Sequence, residues 1–225
     1  MDYRRVDEKT FCDDVENKKV KLLQKLGKRI KVHYDHIKNR DSLANTEFLS
    51  IYGFSCVYCG IGELFINRTD LEVDHFVCES AFKQTVNGKE IIDRKSAGNI
   101  NNLVASCSLC NRRKSNLIIS SDTANLINID KNLIANVFER DKKSFKILIK
   151  DEYKNNLGIV ELYHKLNLGS DLKRLEYMGL KLDYIIKNNN LDDENLSKLR
   201  EILIILIKRH NITYDFSVNN TWKFI

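Results

Sequence analysis

The chain has 225 residues, of which 43% are hydrophobic and 30% are charged, and its formal net charge is +6 at pH 7. This balance is ordinary for a folded globular protein and excludes a wholly disordered chain. No apolar run approaches the roughly 18 residues that a membrane span needs. The first residues also lack the apolar segment of a signal peptide. We therefore expect a cytoplasmic protein that makes no membrane contact.

Residues 1–45 are predicted to form a basic, helical N-terminal region. Nine lysines and arginines but only one acidic residue lie between Lys18 and Arg40. Apolar residues recur along this stretch at helical spacing, which predicts an amphipathic helix with a basic face. They are Leu23, Leu26, Ile30, Tyr34 and Ile37. Such a face is either a solvated lysine-rich surface or a surface that contacts nucleic-acid phosphates.

Four of the six cysteines form two CxxC pairs, Cys56 with Cys59 and Cys107 with Cys110. In a reducing cytoplasm such pairs indicate a metal site more than disulfides. Each CxxC turn directs two thiolates at one point, so two turns complete a closed, tetrahedral zinc site of the structural kind. Redox chemistry is the alternative for a CxxC pair, but no βαβ unit flanks either pair.

The segment between the CxxC pairs contains the pair Asp74-His75 inside an apolar run. We predict a hairpin there, with strands near 63–67 and 71–77. A polar insertion follows, in which Asn87-Gly88 predicts a tight turn. A helix is expected from about residue 108. The Asp-His pair is either a buried structural pair or the edge of an active site.

Residues 121–225 are predicted to be mainly helical. Apolar residues at helical spacing predict helices over 171–187 and 192–209, with Asp192 as the N-cap of the second. Residues 141–151 could form a short strand or one arm of a hairpin. This region carries no metal or nucleotide motif and is better suited to substrate positioning or protein association than to chemistry.

The motifs CVYCG, LEVDHFVCES and NINNLVASCSLCNRRKS, in this order, resemble the zinc-containing HNH endonuclease family over about residues 50–116. The resemblance implies an α+β fold: a ββα-metal core within residues 46–120, stapled by a Cys₄ zinc site and flanked by N-terminal and C-terminal helical regions. The gap between Asp74 and Asn102 is longer than in compact members of the family. An inserted loop there could gate the substrate or simply be a tolerated surface feature.

The resemblance also assigns roles to individual residues. Asp74 and Asn111 would be ligands of a divalent cation, and His75 would be the general base that activates water. Asn102 would hold the His75 imidazole in its productive orientation, with Asn101 and Asn99 as neighbouring alternatives for this role. Oxygen ligands suit a hard cation, so the catalytic ion is expected to be Mg²⁺ or Mn²⁺ and not Zn²⁺. The residues expected to contact a substrate phosphate are Arg112 and Lys114.

The resemblance thus implies a metal-dependent endonuclease that cleaves DNA, of the kind found as effectors of prokaryotic antiphage or restriction-type systems. A protein partner such as an ATPase would bind through the C-terminal helices. Two alternatives stay open. One is a zinc-stabilised module that binds nucleic acid or protein without cutting, and the other is a nuclease that uses the same site on RNA.

Overall fold

A computed structural model of the chain describes residues 2–7, 11–27, 31–189 and 191–220. Its N-terminal part contains helices α1 (Val15–Leu26), α2 (His33–Ile37) and α3 (Leu43–Ile51). α3 begins where the Ser42 side chain accepts a hydrogen bond from the Asn45 amide, which satisfies one free donor of the first turn. None of the described helices is long and apolar enough to cross a membrane.

The prediction of one basic helix through residues 18–40 is wrong. α1 ends at Leu26 and is followed by Gly27, whose φ of +88° is open to glycine but rarely to other residues, and α2 is only five residues long. Ile30 of the predicted helix lies outside the described residues. Lys19 of the basic stretch is 1% exposed, and its Nζ donates to the Leu103 carbonyl oxygen at 2.8 Å and to the Asp130 carboxylate at 2.6 Å. The basic stretch is therefore partly internal.

The centre of the fold is the antiparallel pair of strands β1 (Leu71–His75) and β4 (Leu103–Cys107), followed by helix α5 (Ser108–Lys114). All residues of β4 are buried. The register places Asp74 opposite Val104 and His75 opposite Leu103. This β-β-α unit confirms the predicted α+β class and the helix that was expected from residue 108.

The prediction that a strand near residues 63–67 pairs with β1 is wrong. Instead of an alternating strand, this segment buries the consecutive residues Phe65 and Ile66 in the core. The chain has already doubled back through the first CxxC turn, where the Cys56 amide donates to the Ile61 carbonyl oxygen at 2.8 Å. A short 3₁₀ turn, Arg68–Asp70, then leads into β1, so the distant β4 takes the place of the predicted partner.

The insertion between β1 and β4 forms a hairpin of strands β2 (Lys83–Val86) and β3 (Lys89–Ile92), followed by the short helix α4 (Arg94–Ala97). Asn87 and Gly88 both have positive φ, at 52° and 73°, as a two-residue hairpin turn requires. The turn predicted from this dipeptide is confirmed. Every residue of both strands is exposed, so the hairpin projects from the body of the protein.

The C-terminal part is mainly helical and packs against the β-β-α unit. Its elements are α6 (Ser121–Leu126), α7 (Ile134–Val137), β5 (Phe138–Arg140), β6 (Ile147–Ile149), α8 (Leu157–Leu166), α9 (Asp171–Asn188) and α10 (Asp193–Asn220). β6 is one arm of a hairpin with β5, which confirms one of the two alternatives for residues 141–151. The two predicted C-terminal helices are also confirmed, and Asp192 caps α10 by accepting from the Asn195 amide at 2.8 Å. α8 and α10 both contact α5.

Candidate metal centre and active site

The four cysteines of the two CxxC pairs form one buried cluster. Their sulfur atoms all lie within 4.8 Å of one another. The first pair lies in a turn closed by the Gly60 amide, which donates to the Cys56 carbonyl oxygen at 2.8 Å, and the second pair spans the start of α5. Four soft thiolates at one point fit a tetrahedral zinc ion and leave no position open for substrate. The cluster can therefore hold zinc in a structural role.

The first turn leaves no room for a side chain at Gly60. A Cβ atom there would lie 2.7 Å from the Cβ of Arg4, and φ at this position is +82°. Arg4 in turn donates to the Val57 carbonyl oxygen at 2.7 Å. The N-terminal residues thus brace the turn that carries Cys56 and Cys59.

Asp74 lies on β1 with its side chain directed into the protein. It is 5% exposed. One carboxylate oxygen accepts from the Tyr58 hydroxyl at 2.8 Å, and the other lies 3.1 Å from Nζ of Lys114. Burial raises the pKa of Asp74 to about 6, although Lys114 and Tyr58 both oppose this shift. The site therefore keeps a carboxylate at a position where its charge is costly unless a cation is near.

His75, the last residue of β1, lies at the edge of the same site. Its side chain is 13% exposed, and Nε2 lies 3.5 Å from a carboxylate oxygen of Glu79. Nε2 makes no hydrogen bond to any residue that the structure describes. Burial lowers the pKa of His75, which favours the neutral imidazole at pH 7. A neutral imidazole is able to accept a proton.

Among the described contacts, the Asn102 side chain bonds to backbone groups and not to the His75 ring, which differs from the direct contact that the resemblance implies. Its amide nitrogen donates to the carbonyl oxygens of Val77 and Ala97, and its amide oxygen accepts from the Val77 amide. These three bonds saturate most of the side chain. Asn102 instead fastens the loop that follows His75 to the segment that precedes β4.

Asn111 lies on α5, and its side chain is held by Glu72. The Asn111 amide nitrogen donates to one oxygen of the Glu72 carboxylate at 2.7 Å, while the other oxygen accepts from Ser108 and Arg40. This bond sets the orientation of the Asn111 side-chain amide, so that its oxygen remains available to a ligand. Sequence reasoning missed Glu72. Alternation along a strand, which places Glu72 on the same face of β1 as Asp74, could have found it.

The two basic residues expected to contact phosphate have different places in the fold. Lys114 is 1% exposed, and besides Asp74 its Nζ contacts the His75 carbonyl oxygen at 2.8 Å. It is therefore an internal counterion because α5 packs its inner face against β1. Arg112 lines a different cavity, next to Tyr214 of α10. Lys114 thus borders the Asp74–His75 edge from inside the fold, whereas Arg112 borders a separate cavity.

A surface cavity of about 430 Å³ brings the remaining predicted residues together. Asp74 and His75 line it from β1, and Asn111 and Lys114 line it from α5. Tyr34 of α2 and Ile92 of the exposed hairpin also line this cavity. A carboxylate, an imidazole and an amide thus converge on one accessible space.

Comparison with known families gives a match in the same region of the chain. The family model described as HNH endonuclease matches residues 56–117, a range that contains all four clustered cysteines together with Asp74, His75, Asn102 and Asn111. The comparison with curated proteins found no match, and neither did the comparison with solved structures. Residues 56–117 are therefore similar to HNH endonucleases and are called the HNH domain, and their cysteine cluster is consistent with the zinc-containing type.

Proposed function

We propose that the protein is a metal-dependent endonuclease that hydrolyses phosphodiester bonds in DNA. The observation that carries this proposal is the convergence of Asp74, His75 and Asn111 on one cavity within the HNH domain. An HNH domain implies a nucleic-acid substrate. The net charge of +6 favours a polyanion in general.

Asp74 and Asn111 would hold Mg²⁺ or Mn²⁺. The donor set fits, because a carboxylate oxygen and an amide oxygen are ligands that these hard cations prefer. Glu72 supports the assignment, since it binds the amide nitrogen of Asn111 and leaves the amide oxygen for the ion. A bound cation would stabilise the negative charge that develops on the phosphoryl oxygens and on the leaving oxygen.

His75 would act as the general base. Its imidazole takes a proton from the water that attacks phosphorus, and its lowered pKa keeps it in the neutral form that this step requires. Lys114 would neutralise Asp74 from inside the fold. The buried carboxylate thereby keeps a cationic partner before any metal arrives.

The biological setting is a further part of the proposal. We infer a cytoplasmic effector of a prokaryotic antiphage or restriction-type system, with a protein partner such as an ATPase on the C-terminal helices. The antiphage or restriction setting rests on the resemblance to the HNH family alone. The support for a protein partner is an exposed apolar row on α10 formed by Ile202, Ile205 and Ile212, which recur at helical spacing on one face. If this row binds the protein partner, the Ile205→Glu variant should fail to co-purify with it.

The test of catalysis is cleavage of supercoiled plasmid in the presence of Mn²⁺. His75→Ala should lower the cleavage rate by about 10² to 10⁴, because the proton acceptor is removed. The matched control is His164→Ala, which removes an exposed histidine on α8 and should leave cleavage unchanged. Zinc content and thermal melting should match the unmodified protein in both variants. Equal cleavage by His75→Ala would reject the role of this residue.

The same assay separates the competing functions. A binding module would retain plasmid with no cleavage when Mn²⁺ is added, whereas a nuclease directed at RNA would cut RNA and spare both supercoiled and single-stranded DNA. Mg²⁺, Mn²⁺ and a chelator form the three arms for each substrate.

A further inference from the structure

Helix α2 lies outside the HNH domain yet is fastened to it. The Tyr34 amide donates to the Gly98 carbonyl oxygen at 3.1 Å, and Nδ1 of His33 accepts from the Ile100 amide, also at 3.1 Å. Ile37, at the end of the helix, is fully buried. These contacts hold the five-residue helix against the segment that leads into β4. They also place its first turn over the catalytic edge of the domain.

Tyr34 covers one face of the His75 ring. The centroids of the two rings are 4.2 Å apart and the ring planes are inclined by 42°. Tyr34 is itself half-buried and lines the cavity that contains Asp74, His75 and Asn111. Directly after this helix, Nζ of Lys38 lies 5.2 Å from the centre of the Tyr34 ring. Partial burial and the contact with Lys38 therefore restrict movement of the tyrosine ring, so the ring can act as a fixed surface.

The residues that would ordinarily orient a catalytic imidazole do little here. The Asn102 side chain is occupied by backbone groups of Val77 and Ala97. Glu79 approaches Nε2 only to 3.5 Å, which is long for a hydrogen bond. Among the described residues, Tyr34 is the aromatic residue whose ring packs on the imidazole, and this contact can constrain the imidazole plane.

We propose that Tyr34 is the positioning residue for His75, so that the working nuclease site extends beyond the HNH domain and is completed by α2. The aromatic ring restricts rotation of the imidazole and shields one of its faces from water, while the tyrosine hydroxyl has no part in this role. The proposal rests on the proposed function of His75 as the base. A misplacement of about 1 Å in a catalytic group can cost about 100-fold in rate.

The test compares Tyr34→Phe, which keeps the ring, with Tyr34→Leu, which removes it. With Mn²⁺ and duplex DNA, Tyr34→Leu should lower kcat by about 10-fold to 100-fold with little change in KM, since substrate binding does not depend on the imidazole plane. Tyr34→Phe should retain the kcat of the unmodified protein. If Tyr34→Phe loses as much activity as Tyr34→Leu, or if Tyr34→Leu keeps full kcat, the proposal is overturned.

A second measurement does not depend on cleavage. The imidazole proton resonances of His75, identified by their absence from the spectrum of His75→Ala, should shift in Tyr34→Leu because the ring current of the tyrosine is lost. They should stay in place in Tyr34→Phe. Unshifted resonances in Tyr34→Leu would overturn the ring contact itself. Should the unmodified protein fail to cut any nucleic acid, the proposed function fails while this measurement still decides the contact.

Loss of folding is a separate cause of low activity, and a third variant addresses it. Tyr34→Met fills a comparable space with a flexible apolar side chain but has no aromatic ring. It should melt at the temperature of the unmodified protein and still show the low kcat of Tyr34→Leu. Full activity in a folded Tyr34→Met variant would overturn the proposal.

Discussion

Adjacent residues of β1 have pKa values that burial shifts in opposite directions. Desolvation raises the pKa of Asp74 to about 6 and lowers that of His75, because burial disfavours the charged form of each group. The proposed cation needs ionised Asp74, and the proposed base needs neutral His75. Both requirements are lost as the pH falls, but for different reasons.

We expect two separable limbs in the pH dependence of cleavage. Below pH about 6 protons compete with the cation for Asp74, so the apparent Kd for Mn²⁺ should rise by about tenfold per pH unit. Protonation of His75 should reduce cleavage only below the ordinary histidine pKa of about 6.5, because its own pKa is lowered. The measurement is single-turnover cleavage between about pH 5 and 8 at low and high Mn²⁺.

High Mn²⁺ should move the limb that belongs to Asp74 to lower pH and leave the limb that belongs to His75 in place. An acid limb that ignores Mn²⁺ concentration altogether would contradict the assignment of Asp74 as a cation ligand.

At the scale of elements, the site depends on how closely α2 approaches the segment before β4. Gly98 makes this approach possible. A Cβ atom there would lie 2.6 Å from Cγ1 of Val32, 3.0 Å from the Arg94 carbonyl oxygen and 3.3 Å from the Cβ of Tyr34, so the Val32–Tyr34 segment would have to shift.

We therefore expect Gly98→Ala to displace α2 and reduce kcat for DNA cleavage by about tenfold without loss of zinc. Its backbone φ of −85° suits alanine, so the effect would come from crowding and not from backbone strain. Lys95→Ala, on the exposed side of α4, is the control and should cleave normally. Normal cleavage by Gly98→Ala would show that the approach of α2 has no influence on the site.

At the scale of the whole molecule, the cysteine cluster joins two segments of the HNH domain that are far apart in the chain. Sγ of Cys59 lies 3.9 Å from Sγ of Cys107, across a sequence separation of 48 residues. The hydrophobic core runs from Tyr3 to Tyr214 through the same region. Zinc bound at this point would stabilise the folded state directly, because an unfolded chain has no preformed site.

Removal of zinc should accordingly destabilise the folded protein, and not merely the loop around the cluster. Zinc-peptide affinities correspond to on the order of 10 kcal/mol, which is comparable to the whole stability of a domain. Cys107→Ser or a strong chelator should abolish the cooperative thermal transition followed by circular dichroism. Cys12→Ser, outside the cluster, should melt normally and retain its zinc. An unchanged transition after complete zinc removal would contradict this prediction.

Features encoded in a few neighbouring residues could be predicted from the sequence. The Asn87-Gly88 turn needs only residues that tolerate positive φ, and the Asp192 cap needs only a side chain that reaches its own helix. The gathering of four thiols was also predictable, because each CxxC turn brings its own two sulfur atoms together.

Features that depend on distant neighbours could not be predicted in this way. Packing between separate elements accounts for three such features. β4 pairs with β1 in place of the predicted strand near 63–67, Lys114 is buried beside Asp74, and Asn102 binds backbone groups. The amino-acid sequence by itself determined which chemical groups are available and the local turns that carry them. Only the tertiary structure decided which groups meet, including Glu72 with Asn111 and Tyr34 with His75. The physical reason is that hydrogen bonds and ring contacts act over a few ångströms in space, whatever their separation along the chain.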